Sequence, residues 1–237
     1  MSIRVGLYDF FAYTIPGGLY LFTIAYLSII LGWVKIDFQI LDNLSVIQVG
    51  VLIALSYLTG MILEPIAKQW HKIFKPKGLS QKVLNGFKEK HTDLDIRFRS
   101  EDWAVLLAYL RRENFDVAAE IERYNVIGVM LRNISLSLIL LAVLQIVEFI
   151  QTNFAWYLVL FAVLIFAAIM AGRGSTKFQA WFYSLIFEAI TARSLEVSDL
   201  VVRKQDNNIA IEAPKAVKPV VKRHSTSAET EEKLSVK

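Results

Sequence analysis

Four long apolar runs alternate with polar stretches along the chain, at residues 10–34, 44–66, 134–151 and 155–171. Each run is near the roughly 20 residues that a helix needs to cross about 30 Å of hydrocarbon. The longest polar stretch, residues 67–125, lies between the second and third runs. The pattern therefore predicts two membrane-spanning helical hairpins separated by a polar insert.

Composition supports this interpretation over a soluble one. Hydrophobic residues make up 55% of the 237 residues and charged residues only 20%. A soluble chain would have to bury four such runs as core helices, so an integral membrane protein is favoured.

The placement of positive charge predicts the orientation. Residues 67–124 contain twelve Lys and Arg, whereas the other two connections, 35–43 and 152–154, contain one between them. Loops rich in Lys and Arg stay on the cytoplasmic side. We therefore expect a multi-pass protein of the cell inner (plasma) membrane, with the insert and both termini in the cytoplasm.

The expected fold is an all-α, polytopic membrane protein with four transmembrane helices and a cytoplasmic helical insert between spans 2 and 3. Its predicted segments are an N-terminal hairpin (1–66), a basic helical domain (67–125), a C-terminal hairpin (126–171), an amphipathic cytoplasmic helix (172–203) and a disordered tail (204–237). Residues 116–151 contain one Gly and no Pro, which predicts a single helix longer than the hydrocarbon is thick.

Two parts of this outline leave alternatives open. Residues 93–99 alternate in polarity, which fits a short strand or a linker, and we favour the linker because no partner strand is recognisable. Residues 172–203 either lie in the membrane interface or pack on the insert, through an apolar stripe formed by Phe178, Trp181, Phe182, Leu185, Ile186 and Ala189.

Residues 68–90 hold seven lysines and one acid beside the membrane. This composition is typical of a stretch that binds anionic lipid headgroups, and nucleic-acid contact is the rival interpretation, supported by charge but by no recognised motif. The lysines are Lys68, Lys72, Lys75, Lys77, Lys82, Lys88 and Lys90.

Breaks and polar groups inside the spans are the next candidates. Pro16, Gly17 and Gly18 predict either a hinge that lines a pathway or close packing of helices through small residues. Glu64 is either a proton or ion site or an interfacial acid neutralised by Lys68. Arg132 either extends to the headgroups, which is the default, or pairs with Glu64 as a clasp or switch. Further intramembrane polar candidates are Gln48, Gln145 and Glu148.

Catalytic chemistry is not indicated. The chain has no cysteine, and its three histidines are far apart in sequence, so neither a metal site nor a cofactor site is predicted. No phosphate-binding glycine loop, serine elbow or HEPN-type nuclease signature is present. We therefore predict no catalytic residue and no enzyme activity.

Short motifs carry a family resemblance over about residues 8–170: Tyr8-Asp9-Phe10, Ile15-Pro16-Gly17, Gly60, residues 118–125 and Leu131-Arg132-Asn133. With the basic helical insert, they resemble small prokaryotic four-span membrane proteins associated with CRISPR and other anti-phage defence systems. The resemblance implies a defence role, and some members of the class oligomerise and permeabilise the membrane.

The functional hypothesis is a membrane-embedded effector or sensor, homo-oligomeric and altering inner-membrane permeability, with the bilayer and a cytoplasmic protein as partners. One alternative is a non-conducting scaffold that presents the cytoplasmic domain to a partner. A small transporter is the other alternative.

Overall fold

The computed structural model of the chain describes residues 3–34, 45–194 and 201–203. The predicted outer loop (35–43) and the predicted disordered tail (204–237) lie outside these residues. Within the described part, six helices account for nearly all of the structure, so the chain is all-helical as predicted.

The helices, in chain order, are α1 (Ile3–Ile30), α2 (Val46–His71), α3 (Leu79–Lys90), α4 (Trp103–Glu113), α5 (Phe115–Thr152) and α6 (Trp156–Ser194). Four of them are long and apolar enough to cross a membrane, over Tyr8–Ile30, Val46–His71, Phe115–Thr152 and Trp156–Arg193. The sequence predicts these four spans, and their presence as apolar helices is confirmed.

The two longest helices, α5 and α6, form an antiparallel pair. They are 38 and 39 residues long, which corresponds to about 57 Å each. Because that length exceeds the roughly 30 Å of hydrocarbon, about half of each helix must project from it. We call residues 132–152 and 156–173 the membrane half of this pair, and residues 115–131 and 174–194 the domain half.

The domain half of the pair packs with α3 and α4 into one apolar core. Its buried side chains include Leu84, Phe87, Leu106, Leu110, Ile121, Phe182, Ile186, Phe187 and Ile190. We use the name helical domain for α3, α4, the residues that connect them (91–102), and the domain half of α5 and α6. The stripe on residues 172–203 therefore packs on other helices, and within it Phe182 and Ile186 are buried whereas Trp181 is 41% exposed.

The linker prediction for residues 93–99 is wrong. Leu94–Ile96 forms strand β1, which pairs antiparallel with β2 (Val201–Arg203), in the register Leu94↔Arg203. The alternating pattern was a valid strand signal, but its partner lies more than 100 residues away in the sequence, as a three-residue segment with no pattern of its own.

Two predicted helix ends are absent. Gly172-Arg173-Gly174 lies inside α6, so the expected boundary between a fourth span and a separate amphipathic helix does not exist. Glycines alone do not end a helix when packing holds it, and a β-carbon on Gly172 would be 2.8 Å from the ring of Phe74. Likewise, α2 continues past residue 66, where the second apolar run ends, to His71. Pro65 does not stop it, because proline is tolerated inside membrane helices when neighbouring groups compensate for the lost donor.

Candidate functional site

The most concentrated set of buried polar groups lies where α1, α2 and α5 meet. Arg132 of α5 donates from Nη2 to Glu64 Oε1 of α2 at 2.8 Å, and the Tyr13 hydroxyl of α1 donates to Glu64 Oε2 at 2.7 Å. The side chains of Arg132 and Glu64 are only 7% and 26% exposed. One carboxylate therefore joins three helices by charge-assisted hydrogen bonds. We call Tyr13, Glu64 and Arg132 the clasp.

Close backbone contact between α1 and α2 gives Tyr13 its position. A β-carbon on Gly60 would overlap the main chain of Tyr13, and one on Gly17 would overlap the carbonyl group of Ser56. Helices in lipid gain little from apolar burial, so small residues that permit close approach are a principal source of association. Gly60 lies one turn before Glu64, which explains how the contact brings the Tyr13 hydroxyl to that carboxylate.

Hydrogen bonds next to the clasp extend the connection to α6. The Tyr20 hydroxyl donates to the carbonyl oxygen of Asn133 at 2.9 Å. Ser135 donates to the carbonyl oxygen of Ala168 at 2.8 Å and accepts from Trp70 Nε1 at 3.1 Å. All four long helices are therefore linked within about two turns of one another.

Other buried polar atoms of this region lack partners in the described part of the chain. They are both ring nitrogens of His71, the side-chain amide of Asn133 and Nε of Arg132.

The exposed face of α2 indicates the depth of the clasp. At helical spacing along it lie Leu58, Met61 and Pro65, followed by Lys68 and Lys72, all exposed. Apolar side chains give way to lysines between Pro65 and Lys68, which is expected where hydrocarbon gives way to headgroups. Glu64 therefore lies about one turn inside that boundary.

Positive charge exceeds negative charge at this boundary. Lys75 is half-buried, and its pKa is lowered by burial and by the nearby charges of Arg132 and Lys68. Among the described residues, Glu64 supplies a carboxylate at this boundary, and Arg132 and Tyr13 already bind it.

A second ion pair lies in the helical domain. Arg111 of α4 donates to Glu122 of α5, and this hydrogen bond and the charge of Glu122 raise the pKa of Arg111. Asp9 of α1 is close enough to influence Arg111, and the Arg123 guanidinium lies 5.0 Å from the ring centre of Tyr8. The first turns of α1 are therefore in contact with the helical domain.

No protein-family model, no curated protein and no solved structure matches this chain. Its function has to be argued from its own residues.

The structure places the sequence-predicted site residues of the spans at different points of the long helices and does not bring them all together in one site. Pro16, Gly17 and Gly18 lie inside an unbroken α1, with Gly17 in the contact against α2, so the packing interpretation describes their geometry. Arg132 is paired with Glu64 and does not extend to the headgroups. Gln48 lies in the first turn of α2, where its side chain accepts from the Ser45 backbone amide at 2.8 Å in a capping box, outside any polar core.

The remaining intramembrane candidates are at the opposite end of α5. Gln145 is 6% exposed, and both it and Glu148 lie near Tyr26 of α1. They form a smaller polar group that is separate from the clasp, because 13 residues of helix, or about 20 Å, lie between Arg132 and Gln145.

The sequence analysis did not predict several residues of this region. They are Tyr13 of the clasp and, next to the clasp, Tyr20, Trp70 and Ser135. The sequence did contain a signal for two of them. Tyr13, Pro16, Gly17 and Tyr20 follow the spacing of one helical face, with one phenol on each side of Pro16 and Gly17. The same spacing occurs by chance often enough that it indicates a buried face but not its partners.

Chemically, the clasp binds helices together. Its carboxylate accepts from both the guanidinium and the phenol, and no group of three or more metal-ligating side chains comes together among the described residues. The ion pair joins α2 to α5 and the Tyr13 hydrogen bond adds α1, an arrangement suited to holding the relative register of the three helices.

Proposed function

We propose that the chain is a membrane-embedded sensor or effector, in which a protein partner engages the helical domain and α5 and α6 carry the resulting movement into the bilayer. The observation that supports this most directly is that both helices run unbroken from the core of the helical domain into the four-helix membrane part. Neither helix has a break between its two halves that could absorb a displacement of the domain half. The clasp would then transmit it from α5 to α1 and α2.

The coupling can be measured without knowing the partner. Because the chain lacks cysteine, spin labels at Lys82→Cys in α3 and Val159→Cys in the membrane half of α6 report one distance. Double electron–electron resonance on protein in lipid nanodiscs should give a single narrow distribution. Inserting two glycines after Arg173, between the two halves of α6, should broaden it. A broad distribution in the parent chain would contradict the coupling.

The proposed orientation, with the helical domain in the cytoplasm, rests on the lysine-rich insert. A membrane-impermeant maleimide applied to intact cells should label Gln151→Cys, which is exposed at the opposite end of α5, and should leave Asn85→Cys in α3 unlabelled. Labelling of Asn85→Cys from outside would reverse the orientation.

Permeabilisation of the inner membrane in defence against phage is the finer part of the proposal, and the family resemblance supports it. A conducting path needs an oligomer, because the exposed face of α2 that precedes its lysines is apolar, with Val46, Ile47, Val51, Leu55, Leu58 and Ile62 among its residues. Liposome dye release should rise with the protein-to-lipid ratio, and plating of phage on expressing cells should fall. Absence of dye release and of single-channel conductance in every oligomeric state would remove this part.

A non-conducting scaffold is the second candidate, and the same apolar face of α2 favours it. Of its polar residues before Glu64, Ser56 is buried and Gln48 is occupied in capping. The scaffold predicts a narrow distance distribution but no dye release. The transporter alternative needs a break at Pro16–Gly18 that lines a pathway, and the continuous α1 gives it no support.

A further inference from the structure

The seven lysines of residues 68–90 do not lie at one depth, and α6 provides the scale. Phe74 packs against Gly172, whereas Phe87 packs against Phe187, with ring centres 6.5 Å apart. The two contacts are 15 residues apart on α6, or about 22 Å along its axis. Lys88 and Lys90 follow Phe87 in α3, so they lie far from the level of Phe74. Charges in physiological salt are screened over about 8 Å, which is much less than this separation.

Three of the lysines lie at the membrane boundary. Lys68 and Lys72 continue the exposed α2 face on which Leu58, Met61 and Pro65 precede them. Lys75 follows at the end of the turn after α2, where its backbone amide donates to the carbonyl oxygen of His71 at 3.0 Å. Lys68 and Lys72 thus lie next to the exposed apolar surface of α2, and Lys75 follows in the turn beyond it.

The charges around these three lysines are unbalanced. The ionisable side chains that influence Lys75 are Arg132 and Lys68, and both lower its pKa, as burial does. Glu64 is bound by Arg132 and Tyr13, and the Lys72 ammonium donates to the neutral amide of Gln69 at 2.8 Å. Among the described residues, none of the three lysines has a carboxylate within ion-pair distance.

We propose that Lys68, Lys72 and Lys75 bind the phosphate of an anionic phospholipid whose acyl chains lie along Leu58, Met61 and Pro65. An anion supplied by the bilayer balances the local charge, and a lipid has the amphipathic form that a face turning from apolar to cationic requires. Lys88 and Lys90 take no part, although sequence composition does not distinguish them from the others.

Native mass spectrometry of the full chain in detergent, titrated with phosphatidylglycerol, tests the proposal. Lys68→Gln with Lys72→Gln should weaken lipid binding about 30-fold, since each basic residue near a headgroup contributes roughly a factor of five. Lys88→Gln with Lys90→Gln removes the same charge and should leave binding within about twofold. Replacement of Lys68 and Lys72 by arginine should retain binding, and phosphatidylcholine should bind weakly to every form.

Several outcomes would overturn the proposal. Equal losses in the two matched pairs would mean that net charge alone attracts lipid, and no loss in either would remove the site. Complete displacement of the lipid by millimolar inorganic phosphate would make this a site for the free ion. If the double variant at Lys68 and Lys72 does not give a monodisperse protein, Lys72→Gln alone, at an exposed position, should still weaken binding about fivefold.

Discussion

The two halves of the α5–α6 pair are built on opposite plans. In the membrane half, Asn133, Ser135 and Ser137 are fully buried, whereas Val143 and Phe166 are 52% and 66% exposed. In the domain half, Ile186 and Phe187 are fully buried, and Glu120 and Glu188 are exposed. The exposed surface therefore changes from apolar to charged along helices that have no break in their backbone.

This difference indicates that different interactions stabilise the two halves. In water, apolar burial stabilises by about 25 cal/mol per Å², and it drives formation of the helical domain. In lipid that gain is largely absent, and association rests on close packing, interhelical hydrogen bonds and the clasp. The following substitutions test the contrast, from the largest expected effect to the smallest.

Phe187→Ala should destabilise the protein by about 4 kcal/mol, because it empties a fully buried site between the rings of Phe87 and Phe98. Phe166→Ala, on the lipid-facing surface of the same helix, should change stability by less than about 0.5 kcal/mol. Unfolding in mixed micelles measures both. Equal costs would mean that the two halves are not built differently.

Arg132→Met should cost about 3 kcal/mol, since it leaves the Glu64 carboxylate in a low-dielectric site without its cation. Adding Glu64→Leu should recover most of that loss, because removing both charges leaves none uncompensated. A double-mutant cycle from thermal unfolding gives the coupling. If the second substitution recovers nothing, the two side chains do not act as a pair.

Gly60→Ala should cost about 2 kcal/mol, because its methyl group would collide with the main chain of Tyr13 and force α1 away from α2. Gly50→Ala in the same helix is the matched control, since nothing lies within 4 Å of a β-carbon there. The control should be neutral or stabilise α2 by up to about 1 kcal/mol. Similar destabilisation by both would show that the contact between Gly60 and Tyr13 is not responsible.

Ser135→Ala should cost about 0.6 kcal/mol, the typical value of one hydrogen bond between membrane helices. Its hydroxyl connects α2 to α6 through Trp70 and Ala168. Ser28→Ala removes only a bond to the carbonyl of Ile24 within α1 and is the control. If the two variants are indistinguishable within about 0.2 kcal/mol in mixed-micelle unfolding, the interhelical bond contributes nothing.

The amino-acid sequence by itself determined the four apolar helices. Runs of about 20 apolar residues are a local property that any context must bury or dissolve in lipid, so periodicity and length sufficed. It also determined the apolar stripe of residues 172–203, in which Phe182 and Ile186 are buried.

Only the tertiary structure decided where the helices end and which polar groups meet. Gly172-Arg173-Gly174 and Glu64-Pro65 are local stop signals that packing against Phe74 and against α1 overrides. The pairing of β1 with β2, and of Glu64 with Arg132 and Tyr13, joins residues 51 to more than 100 positions apart. Such contacts depend on the relative placement of whole helices, a property that no local stretch of sequence contains.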